Sequence, residues 1–223
     1  MNESPAGADR QSVMQFMTTE HFTLQTARAV ANAEISSRLQ LYMTTLSSAI
    51  IALALVAQLS ELGEAFVGFA LVLLPVVYFL GVVTAGRVMQ ASAEWRIYGQ
   101  GMNRIRHYYL EVAPEMERYL VLPATDDPWA SLEAIGIRGR RWWQGLLTTA
   151  PAMILIVNSV LAGVFAGVVA AAVGPSGPVL PAVAAAAGFV LSVVVLGAYE
   201  ERTFYRDIAS VPVAFPTDRP AGD

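Results

Sequence analysis

Cysteine and lysine are both missing from this chain of 223 residues, and histidine occurs only twice. Without cysteine there can be no disulfide, no thiolate metal site and no cysteine nucleophile. Without lysine, all 14 basic residues are arginines. Together with the abundance of Ala, Val and Gly, this is the codon signature of a GC-rich bacterium. The net charge of −4 and pI near 5.2 leave no basic footprint for a nucleic acid, so no such partner is expected.

Charge of either sign is absent from long tracts. Residues 39–60 and 65–86 carry no Asp, Glu, Lys or Arg, and neither do the 58 residues from 142 to 199, which are broken only at Gly174-Pro175-Ser176-Gly177-Pro178. The chain is 55% hydrophobic and 14% charged, with a mean hydropathy of +0.50. A bilayer core of about 30 Å needs about 20 apolar helical residues. The expected fold is therefore an all-α integral membrane protein with four spans in two hairpins, about 41–59 with 65–86 and about 144–173 with 179–199. Three arginines precede the first span, eight lie between the second and third, three follow the fourth, and the two short outer turns have none. By the positive-inside rule both termini and the middle segment are cytoplasmic, which makes this a multi-pass protein of the bacterial plasma (inner) membrane.

Residues 1–18 are polar, lack an apolar core of signal-peptide length, and are expected to form a mobile tail. A first unit over 19–113 is expected to join the first hairpin to cytoplasmic helical extensions. Thr18 or Thr19 can cap a helix starting near Glu20, and nothing breaks that helix before residue 59. Beyond Arg87, Val88, Ala91, Trp95, Tyr98, Met102, Ile105, Tyr109 and Val112 recur at alternating intervals of three and four. That is an a/d seam, so the second span continues into a long stalk packed on another helix. Its partner is the leading helix, the same helix of another subunit, or both, and a homo-oligomer is expected. Pro75, Gly99 and Gly101 are candidate hinges, since proline and glycine weaken a helix locally. Residues 114–143 read as a linker, with a short turn after Pro114, an Asp126-Asp127-Pro128 turn signal, and a lipid-interface anchor in Arg138, Arg140, Arg141, Trp142 and Trp143. The second hairpin, 144–209, carries Ser159, Gly163, Gly167 and Ala171 at steps of four, suited to close packing against the fourth span with its Ala184–Ala187 run, Gly188 and Gly197. Residues 210–223 are expected to be a disordered tail.

No catalytic cluster is legible. His21 and His107 lie on different helices, and Glu200-Glu201-Arg202 with Asp207 is where a span must turn polar as it leaves the membrane. Tyr98-Gly99-Gln100-Gly101 lacks the strand and third glycine of a dinucleotide motif. No enzyme, cofactor or metal is expected. No ionisable residue lies inside a span, which argues against coupled transport. A mild polar stripe remains: Thr44, Thr45, Ser47 and Ser48 on the first span, with Thr148, Thr149 and Asn158 on the third. Such groups line a water-filled pore or bond across packed helices.

A leading helix (20–59), a tight return (65–86) and a long trailing helix (87–113) bearing Arg96, Tyr98 and Asn103-Arg104-Ile105-Arg106 resemble the SLATT-type bacterial defence effectors. The whole chain also resembles a class of actinobacterial four-span membrane proteins. The SLATT resemblance implies an oligomeric ion channel or pore that perforates or depolarises a membrane. The alternative is a non-conducting scaffold whose stalk binds a cytoplasmic protein or small ligand.

Overall fold

The computed structural model describes residues 10–128, 149–174 and 177–217. Four α-helices dominate them: α1 (Arg10–Leu59), α2 (Glu64–Val112), α3 (Ala150–Val173) and α4 (Val179–Ala209), with a 3-10 turn at Pro114–Tyr119 after α2. All four are long and apolar enough to cross a membrane. They take in residues 39–59, 65–86, 150–173 and 179–199 of the uncharged tracts. The interfacial anchor, Arg138 to Trp143, lies outside the described residues.

α1 begins at Arg10 and not near Glu20. Thr18 and Thr19 are interior residues whose hydroxyls donate to the carbonyls of Met14 and Gln15 (2.8 and 2.9 Å), and Thr23 and Thr26 repeat the pattern. Arg10 is tied down by donating to the Val112 carbonyl at 3.3 Å. Residues 60–63 turn the chain back, with Glu61 and Leu62 both in the left-handed region. α2 then runs unbroken through Pro75, which does not end it.

The chain divides into two units. One comprises Glu34–Ala91 and Arg141–Asp207. Its core joins Tyr42, Leu46 and Ala49 of α1, Ala70, Leu74, Val77, Ala85 and Val88 of α2, and Ile154, Leu155 and Leu161 of α3. α3 carries much of the burial, with Ala152, Ile154, Leu155, Asn158, Ser159 and Leu161 all buried. α3 meets α4 through small residues. A Cβ on Gly163 would stand 2.8 Å from the Ala185 carbonyl, one on Gly188 2.8 Å from the Ala166 Cβ, and Ser159 bonds Ser192 at 3.1 Å. A Cβ on Gly197 would meet nothing within 4 Å, so no close approach there requires glycine. Gly163→Val is therefore expected to force α3 and α4 apart, at about 1–3 kcal/mol of overpacking, and to lower the melting temperature in detergent, while Gly197→Ala leaves it unchanged.

The other unit comprises Met1–Ala33, Ser92–Arg140 and Ile208–Asp223. Here α1 packs antiparallel on α2 and covers part of the seam within the single chain: Met102 and Ile105 are each 6% exposed, while Trp95, Tyr98, Tyr109 and Val112 are half-buried. Met102 and Ile105 are thus core residues, unavailable to a second subunit. Gly99 and Gly101 accommodate α1 and do not interrupt α2; a Cβ at Gly101 would stand 3.0 Å from Leu24 Cδ1.

Residues 212–217, expected to be disordered, form a strap. The strap lies against Asp126, which is fully buried and not the exposed turn residue its Asp-Asp-Pro context suggests. The Asp126 carboxylate accepts from the Ala214 and Phe215 amides at 2.7–3.1 Å and from Arg104 Nε at 2.7 Å, while the Asp126 amide donates to the Phe215 carbonyl. Arg104 also reaches the Pro212 carbonyl, Phe215 stacks on His107 at 3.8 Å, and Thr217 bonds Thr125. From the other side, Gln100 and Asn103 donate to the Asp126 and Thr125 carbonyls. Gln100, Asn103 and Arg104 are therefore a second packed face of α2, where the heptad pattern suggests a solvated flank.

Candidate functional site

The first span divides its side chains by chemistry. Tyr42, Leu46 and Ala49 fall at steps of four and three, and all three are buried. Thr44, Thr45, Ser47 and Ser48 occupy the remaining arc and are exposed, alongside Leu41, Ile51 and Leu55. The Thr45 and Ser48 hydroxyls donate to the Leu41 and Thr44 carbonyls at 2.9 and 3.0 Å. Their protons are satisfied within the helix, and their oxygens still present lone pairs outward. That leaves a strip of acceptors on a face that no other element among the described residues covers.

Asn158 is not part of that strip. It is fully buried on α3, where its Oδ1 accepts from the Tyr42 hydroxyl at 2.7 Å and its Nδ2 donates to the Tyr78 carbonyl at 3.1 Å. One amide thus joins α1, α2 and α3. An amide committed on both sides in a buried position positions helices and does not meet solvent, so Asn158 leaves the pore-lining set. Gly81 makes room for it: any Cβ there would stand 2.5 Å from Asn158 Cγ and Nδ2. The grouping of polar residues in the spans pointed to one stripe, and the register of three helices resolves it into an outward strip and an inward node. The available signal was that Asn158 is the only carboxamide within the tract 145–199.

Thr149 bonds Glu200, and Thr148 lies outside the described residues. Glu201 is exposed and has no share in that bond, so the two adjacent carboxylates do not act as a pair. Among the described residues, no group of three His, Asp or Glu is placed to hold a metal. Compared with family models, curated proteins and solved structures, the chain matches none.

Proposed function

We propose that the chain forms an oligomeric channel or pore-type effector in a bacterial inner membrane, with α1 nearest the axis and the cytoplasmic helical stalk as its gate. The carrying observation is the outward strip Thr44, Thr45, Ser47 and Ser48, set on a helix face left uncovered among the described residues, while the buried polar groups Asn158, Ser159 and Ser192 are each bonded to a neighbouring helix. Hydroxyls gathered on one outward arc suit water in a pore or the face of a neighbouring subunit, and both are met in an oligomeric channel. The arginine distribution and the SLATT-like layout support the same reading. Met102 and Ile105 are buried within one chain, so this reading puts the subunit contacts on the outer faces of α1.

Ion flux from liposomes holding the purified protein tests this. The double substitution Thr44→Leu/Ser48→Leu removes two hydroxyls from the outward arc without touching the core, and is expected to reduce flux at least tenfold. Wild-type protein that conducts nothing sinks the channel. The second reading is a non-conducting scaffold, favoured by Phe16, Phe22 and Val30, three large apolar residues left exposed on the arm of α1 before the first span. It expects no flux and loss of a bound partner protein when Phe16 and Phe22 are changed to Ser.

A further inference from the structure

Arg28 of α1 and Arg106 of α2 are both half-buried, and among the described residues neither has a carboxylate partner. The Arg28 guanidinium lies over Trp95, its carbon 3.8 Å from the ring centroid, and would be 3.5 Å from a Cβ at Gly99. Its Nε is shut from solvent with no acceptor, and so is Nδ1 of His21, two turns earlier on α1. The His21 ring sits 6.4 Å from that of Tyr109. Arg106 donates one bond, to Asn103 Oδ1. Burial lowers the pKa of all three groups, and the charge of Arg106 lowers His21 and Arg28 further.

Bringing like charges together while stripping them of water is unfavourable unless a counter-charge joins them. Stacking on Trp95 offsets part of that cost for Arg28 alone. The missing component is an anion. Guanidinium forks match the oxygens of a phosphate in geometry and charge, and two permanent cations with an adjacent imidazole suit a dianion better than a single carboxylate.

We propose that His21, Arg28 and Arg106 bind the phosphate group of a soluble ligand. A lipid headgroup is the other source of the same chemistry, and its reach decides against it. Arg28 precedes residue 41 by 13 residues, about 20 Å of helix, whereas the headgroup layer extends only about 5–8 Å beyond the hydrocarbon. Binding at this site does not depend on the chain conducting ions, so failure of either reading leaves the other to be judged by its own measurement.

Equilibrium dialysis of the full-length protein in detergent against radiolabelled inorganic phosphate is the test, with thermal unfolding alongside. Wild-type protein is expected to bind saturably and to melt at a higher temperature with phosphate. Arg28→Gln and Arg106→Gln should each weaken binding at least tenfold and abolish the melting shift. Arg118→Gln, whose guanidinium covers exposed Tyr119, should bind as wild type. Should a Gln variant fail to fold by circular dichroism, Arg28→Lys keeps the charge without the fork and is expected to bind several-fold more weakly. No saturable binding by wild type, or undiminished binding by the folded Arg28 and Arg106 variants, overturns the site. Repeating the measurement in nanodiscs with and without phosphatidylglycerol should give the same affinity. Weaker phosphate binding in the anionic discs would mean that headgroups fill the site, and would overturn its assignment to a soluble ligand.

Discussion

Changing Asp126 to Ala should free the strap 212–217 and speed amide exchange at Ala214 and Phe215 by about two orders of magnitude. The side chain is fully buried and serves two backbone amides and Arg104. Its removal leaves those two N–H groups without an acceptor, each worth about 1–3 kcal/mol. Arg104 adds less, being about one-third exposed and able to turn to water. A total on the order of 3 kcal/mol corresponds to roughly a hundredfold in the opening equilibrium, at about 1.4 kcal/mol per factor of ten. Hydrogen exchange read by mass spectrometry measures it locally, and unchanged protection would mean that the strap is held by other contacts.

The same carboxylate gives the strap a pH dependence of definite sign. Burial alone would raise the Asp126 pKa, but the amides of Ala214 and Phe215 and the Arg104 guanidinium outweigh it, so the folded value lies below the ordinary 3.8. A carboxylate depressed in the folded state contributes stability that is complete above its unfolded pKa and is lost as pH falls through the folded one. Strap protection should therefore be flat from neutrality down to about pH 4 and fall below that. Asp126→Asn should lack this step.

Gly81→Ala should cost about as much, from the addition of one methyl group. The new Cβ would occupy the space of the Asn158 carboxamide. That carboxamide cannot swing aside without losing both the Tyr42 hydroxyl and the Tyr78 carbonyl. Overpacking costs about 1–3 kcal/mol, and a polar group unpaired in a dry interior adds to it. A substantial drop in melting temperature in detergent is expected. Asn158→Ala should also destabilise, but the pair together should be less destabilised than the sum of the two, with a coupling of about 1 kcal/mol or more, because each change removes the cause of the other's damage. Simple additivity would show that the node does not hold the three helices.

The presence and apolar extent of the four helices were the most legible features, because a tract without charge and a residue pattern at threes and fours are local properties, whereas the start of α1 was not. The turn at 60–63, the end of α2 before Pro114 and the small-residue face of α3 were readable for the same reason. Asp126 was not. Its neighbours Asp127 and Pro128 signal a turn, and its partners are backbone amides of a segment whose own Pro212 and Pro216 suggest disorder. A backbone donor has no sequence signature. The seam was legible as a packed face, but whether its cover came from within the chain depended on the length of α1, which starts at Arg10 through a threonine ladder that propensity disfavours. Asn158 and Thr44 look alike as polar residues in apolar surroundings, and only the rotation of α3 against α1 separates them.

Asp126 and the amide of Ala214 are 88 residues apart along the chain. At about 5–20 residues per second of synthesis, the strap follows Asp126 from the ribosome by about 4–18 s. Through that interval α3 and α4 are made, and Gln100 and Asn103 can already bond the backbone of residues 125–126. The carboxylate itself must stay hydrated, because a buried charge without its donors is untenable. This half of the protein therefore matures in two stages, and a chain stalled before Ala214 presents Asp126 to water as an open acceptor.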